Sequence, residues 1–198
     1  MKTIGPLGIL GLGLTGLAAS AAAQVDIAGN RAALRSFAAC AVANDRPLVD
    51  TMLSTGRGAQ DEVDAIEALI AASDCADAAS AKGRVADFRG ALAEAVLLAE
   101  PTRREALERR DAVKAVPVAD GKDRAYFARL ASCVARANPR QSLALVRSEP
   151  ATASENGAYK PLATSISRCL PDVSSTKLSR TEMRYHIADA LYAMSEAG

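Results

Sequence analysis

The chain has no tryptophan, one histidine, and aromatic residues at only 4% of its 198 positions. Aromatic side chains are the usual anchors of ligand pockets, so their scarcity argues against a cofactor site. His186 is the only histidine, which argues against a clustered Cys/His zinc site, and a serine-type triad would depend on that one residue. No G-x-S-x-G segment supplies a nucleophile for it. The sequence therefore predicts no cofactor and no metal.

Paired carboxylates are the remaining catalytic candidates. Glu62 and Glu67 lie near the start of a predicted helix and are the pair expected of an envelope hydrolase. Acidic residues at this place also interact favourably with the helix dipole, which is the structural interpretation. Gly56-Arg57-Gly58 is too short for a phosphate-binding loop and is predicted to be a turn. An enzyme is therefore the less favoured class.

The N-terminal segment is almost without charge. Lys2 is the only charged residue before Asp26, and the apolar stretch between them ends in Ala21-Ala22-Ala23. This order is typical of a secretory signal peptide, residues 1–23, cleaved between Ala23 and Gln24. An uncleaved membrane anchor is the alternative. We expect a periplasmic or secreted protein with no integral membrane segment after cleavage.

The charge of the mature chain is balanced. The full sequence has 24 basic and 23 acidic residues, and the leader removes one lysine and no acid. A net charge of zero gives no general attraction for nucleic acid, so none is expected as a partner. The expected partner is another envelope protein, and the sequence leaves the oligomeric state open.

The four cysteines indicate an internal duplication. Cys40 and Cys75 are 35 residues apart, and Cys133 and Cys169 are 36 apart. Their surroundings correspond as well: Asp45 and Asn138 each precede a proline-containing first turn, which predicts two capped helices. The interval between matched positions is 93 residues at the first cysteines and 95 at the last helices. Small loop insertions account for the difference.

Helical periodicity runs through both copies, and no segment alternates like a strand. The predicted organisation is a signal peptide (1–23), repeat 1 (24–99), a charged connecting segment (100–122) and repeat 2 (123–198). The predicted helices are Asp26–Ala43, Pro47–Ser54, Gln60–Asp77 and Gly83–Leu98, then Asp123–Ala137, Pro139–Ser148, Tyr159–Leu170 and Arg180–Met194. Ser179 and Glu182 spell a capping box for the last of them.

In an oxidising compartment four cysteines form two disulfides, in one of three pairings. If the ancestral unit was stable alone, the pairs are Cys40–Cys75 and Cys133–Cys169. Each bridge would then join the first helix of a copy to its third. A structural role is therefore predicted for these cysteines.

The connecting segment is predicted to form a helix. Thr102 and Glu105 spell a capping box, and Leu107 and Val113 are expected to rest on the body of the protein. The basic residues of this segment could meet an anionic partner, but acid–base pairs on a solvated helix face are the simpler explanation.

One polar pair is repeated in the two copies. Arg89 stands five residues before Glu94, and Arg184 stands five residues before Asp189. Among small residues, such arginines are expected to be partly buried and to bind carbonyl groups or a carboxylate. The alternative is a symmetric anion site across the copies.

These motifs together resemble an uncharacterised group of small exported helical proteins of alphaproteobacterial type, whose members commonly carry two such repeats. The matching positions are Phe37–Cys40, Cys75, Arg89–Ala95, Cys133, Cys169–Pro171 and Arg184–Tyr192. The second copy departs from the pattern with Tyr185 and His186, where the first has Gly90 and Ala91. The resemblance implies the fold and the compartment, and it brings no activity or ligand.

The sequence thus predicts an all-α fold of two tandem four-helix repeats, each joined by one disulfide. They would pack about a pseudo-two-fold axis or side by side. The leading hypothesis for function is a non-catalytic interaction or scaffold module. The alternatives are a carboxylate-based envelope hydrolase and a small-ligand carrier with a cavity between the repeats.

Overall fold

The computed structural model describes residues 18–75, 83–119, 125–170 and 179–197, with side chains from residue 30 onward. Within these ranges the chain is helical and contains no strand, which confirms the all-α class. The helices are α1 (Ala18–Asn44), α2 (Arg46–Ser54), α3 (Gln60–Ala72), α4 (Val85–Ala99), α5 (Pro101–Arg109), α6 (Tyr126–Ala137), α7 (Pro139–Arg147), α8 (Ala153–Tyr159), α9 (Ala163–Cys169) and α10 (Arg180–Glu196).

The centre of the molecule is the contact between α4 and α10. Both helices are buried over most of their length, because other helices cover their remaining faces. α1, α2 and α3 surround α4, and α6 and α7 pack on α10. The core between them consists mainly of leucine, valine and alanine, with few aromatic rings. Small side chains allow the helix axes to approach closely, in agreement with the composition.

The helix boundaries repeat at the interval of the cysteines. α2 begins at Arg46 and α7 at Pro139, and each has nine residues. A proline in the first turn suits both, because its missing N–H would have no intrahelical acceptor there. The predicted side-chain caps are wrong: Asp45 and Asn138 precede these helices but make no cap hydrogen bond.

The third helix of the second half differs most from its prediction. It begins at Ala153, six residues before the predicted Tyr159, and a 3-10 turn at Lys160–Leu162 separates α8 from α9. The helix is interrupted there because Pro161 has no N–H to donate to the preceding turn. The weakly apolar stretch from Ala153 gave no periodic signal, so its helix was missed.

Other boundaries shift by a few residues. α3 ends at Ala72, and the predicted end at Asp77 lies outside the described residues. α4 begins at Val85 rather than Gly83. The capping box of α10 is confirmed, since Ser179 Oγ accepts the Glu182 N–H and the Glu182 carboxylate accepts the Ser179 N–H. The predicted start of α6 at Asp123 also lies outside the described residues.

The connecting segment forms one short helix followed by an extended stretch. The capping box predicted at Thr102 and Glu105 is wrong, because α5 begins earlier, at Pro101. Leu107 is fully buried as expected. Val113 rests on the body only in part: its side chain is 50% exposed, while its N–H donates to the carbonyl of Arg136.

The structure contains the disulfides Cys40–Cys75 and Cys133–Cys169. Each joins the first helix of its half to the end of the third-helix region, and Cys75 and Cys169 are buried. Closing a loop of 35 or 36 residues removes conformational entropy from the unfolded chain.

We expect the double substitution Cys40→Ala/Cys75→Ala to lower the free energy of unfolding by about 3 to 4 kcal/mol, from the lost loop constraint. Urea unfolding of both forms, followed by circular dichroism, measures the difference. The double substitution Cys133→Ala/Cys169→Ala opens a loop of nearly the same length and serves as the matched comparison. A loss below about 1 kcal/mol in both would contradict the structural role.

Candidate functional site: a buried network of arginines and carboxylates

Arg184 is the largest fully buried side chain among the described residues, with 1% of its surface exposed. Its guanidinium donates to both carboxylate oxygens of Glu94, at 2.9 Å each, and to Glu155 at 3.3 Å. It also donates to the carbonyl groups of Val146 and Ser148, both at 2.8 Å. All these acceptors are placed by helix ends or helix faces, so the planar fork of arginine is held on every side.

Arg89 has the same surroundings in the first half and is 6% exposed. It donates to Asp189 at 2.9 Å and to Glu62 at 3.2 Å. It also donates to the carbonyl groups of Met52 and Thr55, at 3.3 and 3.2 Å. The carbonyl groups come from the C-terminal end of α2, as those bound by Arg184 come from the C-terminal end of α7.

The two arginines exchange partners between the halves. Arg89 is on α4 and binds Asp189 on α10, while Arg184 is on α10 and binds Glu94 on α4. The sequence places Arg89 near Glu94, and Arg184 near Asp189, at an interval of five residues. The structure instead pairs each arginine with the acid of the other helix, so both ion pairs cross the contact between the halves.

Glu62 and Glu155 are fixed at both oxygens. Glu62 accepts the N–H of Gly58 at 2.6 Å, and Glu155 accepts the N–H of Ala151 at 2.8 Å. Both donors have positive φ angles, 77° and 59°. The turn after α2 and the turn after α7 therefore each contain a residue in the left-handed conformation, Gly58 in the first and Ala151 in the second. For Ala151, an L residue with a Cβ, that conformation costs about 1 kcal/mol or more.

Three further arginines lie at the edge of the network. Arg57 binds the second oxygen of Asp189 at 2.5 Å, Arg35 approaches Glu94 at 3.4 Å, and Arg31 approaches Glu155 at 3.9 Å. Five cations and four anions together form what we call the network. They are Arg31, Arg35, Arg57, Arg89 and Arg184 with Glu62, Glu94, Glu155 and Asp189. Every carboxylate has at least one cationic partner.

The charge state of Arg184 is secured by its neighbours. Burial by itself lowers its pKa, but the hydrogen bonds and the charges of Glu94 and Glu155 outweigh that effect and leave the pKa above its ordinary value. A guanidinium held in this way exchanges no proton near neutral pH. The network is therefore suited to holding two helices together rather than to acid–base chemistry.

Sequence reasoning missed Glu155 and assigned Glu62 another role. Glu155 follows Glu62 by 93 residues, the interval between Cys40 and Cys133, so the cysteine spacing was the available signal. Glu67, the second carboxylate of the hydrolase hypothesis, is exposed, while Glu62 is buried against Arg89. The structure does not bring the two together as a catalytic pair.

The contact between α4 and α10 is closest at Gly90 and Tyr185. A Cβ atom built on Gly90 would lie 2.3 Å from the Cβ and 2.7 Å from the Cα of Tyr185. Tyr185 is buried, and burial followed by the charge of Glu94 raises the pKa of its hydroxyl to about 12. Gly90 and Tyr185 stand 95 residues apart, the interval that also separates Arg89 from Arg184.

His186 lies beside this contact and stacks on Phe127, with ring centroids 6.1 Å apart. Burial lowers its pKa, which Asp189 and Asp87 only partly offset. In the folded state protonation is therefore disfavoured relative to the unfolded chain. Stability from this group is complete above the unfolded pKa of about 6.5 and is lost as the pH falls below it.

We accordingly expect the free energy of unfolding to decrease as the pH is lowered from 7 to 5, and we expect His186→Gln to flatten that dependence. Urea unfolding at several pH values measures the slope for both proteins. Only the change of unfolding free energy with pH is compared, because His186→Gln also alters packing on Phe127 and so shifts the free energy at every pH. As His186 is the only histidine, an unchanged slope in the variant would contradict the assignment.

No group of three or more histidine, cysteine or acidic residues in the described part of the chain has the geometry of a metal site. Among the helices that the structure describes, none is both long and apolar enough to cross a membrane. Most of the predicted signal peptide lies outside the described residues, and the side chains around Ala23 and Gln24 do as well.

Comparison of the chain with protein families, with curated proteins and with solved structures finds no match.

Proposed function

We propose that this protein is an exported, non-catalytic interaction or scaffold module, built from two fused copies of one disulfide-linked helical repeat. The observation that carries the proposal is the reciprocal exchange of buried ion pairs between α4 and α10. Each half supplies the carboxylate that binds the buried arginine of the other half. Two copies related by a pseudo-two-fold axis would produce this arrangement. The two ion pairs join the halves through α4 and α10.

The matched positions support the duplication independently of the charges. α1 ends at Asn44 and α6 at Ala137, again 93 residues apart, and α3 and α8 begin at the same interval. The contact between Gly90 and Tyr185 adds a geometric argument, because a residue can touch its own counterpart only near a two-fold axis.

The non-catalytic role rests on how the buried charges are used. Glu62, Glu94, Glu155 and Asp189 are all engaged by arginines and by the backbone or by neighbouring helices. The oxygens of these carboxylates already accept hydrogen bonds from arginines or from backbone N–H groups, so they are not open to a substrate proton. The same side chains fill the contact between the halves, which is the place where a carrier would need its cavity.

The exported compartment is supported by the two disulfides, which persist in oxidising environments, and by the signal-peptide pattern of residues 1–23. The periplasm or the extracellular space satisfies both. An envelope protein is then the partner class that a scaffold would meet there.

Native mass spectrometry of the unreduced protein, isolated from its own envelope fraction, tests this proposal. We expect the mass of residues 24–198 less four hydrogens, for two disulfides, together with a complex containing another envelope protein. The full-length mass with four free thiols would overturn the exported compartment. A retained small molecule in place of a protein would overturn the scaffold role in favour of a carrier.

A further inference from the structure

A groove of about 730 Å³ runs between α1 and α4 in the first half. Its floor and walls are mainly small side chains, among them Ala39, Ala43 and Ala95. Leu98 also lines it and is 39% exposed, one of the few large apolar side chains at the surface of the described residues. The groove is therefore accessible, and most of its lining is apolar.

The corresponding groove of the second half lies between α6 and α10. On α6 it is lined by Ser132 and Arg136, which stand 93 residues after Ala39 and Ala43 of the first groove. On α10 it is lined by Ala190, Ala193 and Met194, which stand 95 residues after Ala95, Leu98 and Ala99. Its volume is only about 310 Å³, because Arg110, Asp111 and Val113 of the connecting segment form part of its lining. One groove is thus partly filled by the chain itself, and its counterpart is open.

The extended stretch 110–118 is held in the second half mainly by its backbone. The Val113 N–H donates to the Arg136 carbonyl at the end of α6, and the Val118 N–H donates to the Cys169 carbonyl, both at 2.9 Å. The Arg110 guanidinium donates to the Met194 carbonyl near the end of α10. Between these points Ala115 packs on the core. Helix-terminal carbonyl groups are natural acceptors for such a stretch.

We propose that the open groove of the first half binds an extended segment of a partner polypeptide, in the way that the second half binds residues 110–118. The inference rests on the proposed duplication and interaction role, and it adds the kind of partner. The occupant has small apolar side chains that fit against alanines, and it donates a backbone N–H to the carbonyl of Ala43, the counterpart of Arg136.

The charges at the rim limit what else could bind. Arg35 is paired with Glu94 and Glu149, and Arg46 is paired with Asp50 and Glu100. Because these cations already have anionic partners, the rim presents little net charge to a ligand. Apolar contact and backbone hydrogen bonds therefore determine recognition, and a strongly acidic or basic segment is disfavoured.

A labelled peptide with the sequence of residues 109–119, blocked at both ends, is the probe, and fluorescence anisotropy with the complete mature protein is the measurement. We expect saturable binding that Ala39→Arg weakens at least about tenfold, since the new side chain fills an exposed position of the groove. Ala68→Arg, at an exposed position of α3 outside the groove, should leave binding unchanged. A peptide N-methylated at the residue equivalent to Val113 should bind correspondingly more weakly.

Three results would overturn the proposal. One is the lack of saturable binding at millimolar protein. Another is binding that Ala39→Arg leaves intact and Ser132→Arg abolishes, which would show that the peptide displaces the chain's own segment. The third is a concentration-dependent dimer that Ala39→Arg dissociates, which would assign the groove to a second copy. None of these results alters the mass of the single chain, its disulfide content or its complex with an envelope protein, so the groove proposal and the proposed function can fail separately.

Discussion

Replacement of Arg184 by methionine is expected to lower the free energy of unfolding by about 3 to 5 kcal/mol. Methionine keeps much of the side-chain volume but leaves Glu94 and Glu155 buried without their main cation. The carbonyl groups of Val146 and Ser148 lose their donor as well. For a chain of this length the melting temperature should fall by about 10 °C or more, which calorimetry or thermal circular dichroism records.

The matched control for this experiment is Arg109→Met. Arg109 is 71% exposed and approaches Glu105 at 3.7 Å on the same helix. A solvated pair of this kind contributes little, so the expected change is within about 0.5 kcal/mol. If Arg184→Met lost no more than the control, the network would not be what joins the two halves.

A double-mutant cycle separates the ion pair from the rest of the network. Arg184→Met, Glu94→Gln and the double variant should give a coupling energy of about 1 to 3 kcal/mol, because the second substitution removes the carboxylate that the first leaves unpaired. Additive losses would contradict a direct interaction between α4 and α10 through this pair.

Gly90→Ala is the second substitution with a large expected effect. The new Cβ would approach the Tyr185 carbonyl oxygen and Cα to 2.7 Å, and backbone atoms cannot rotate away as a side chain can. The helices α4 and α10 would have to separate, which would also lengthen the ion pairs that cross between them. We expect a loss of about 3 kcal/mol or more, measured by urea unfolding.

Gly157→Ala is the control for that substitution. Gly157 lies in α8, and nothing stands within 4 Å of a Cβ built on it. Alanine should therefore stabilise the protein by about 0.5 to 1 kcal/mol through its higher helix propensity. A similar small effect at Gly90 would show that the two central helices are free to move apart.

Much of the fold could be predicted from local signals. The proline-containing first turns at Arg46 and Pro139 specify where two helices begin, because the φ angle and the missing N–H of proline allow few other arrangements. The capping box of Ser179 and Glu182 could also be predicted, because it depends only on two residues that are three positions apart. The helix at Ala153 was missed, since packing of Tyr159 and Glu155 stabilises it where propensity does not.

The network shows where such inference ends. Burial of Arg89 and Arg184 among small residues could be expected from the sequence, and so could their binding of carbonyl groups. Their carboxylate partners could not, because the acid five residues after each arginine, with which the sequence pairs it, lies on a different face of the helix. Side chains that contact each other on a helix are three or four residues apart, so Glu94, five residues after Arg89, faces a different direction. Glu94 pairs with Arg184 of α10 instead.

The sequence by itself determined the helical class and the positions of most helices, because periodicity, proline and capping act within a few residues. The spacing of the cysteines and the repeated segments also indicated the pairing that the disulfides have. Only the tertiary structure decided that the arginines exchange partners between α4 and α10, that Gly90 meets Tyr185, and that Arg110, Asp111 and Val113 line one groove while the larger groove of the first half is open. These features depend on how two distant segments meet, which no short-range signal encodes.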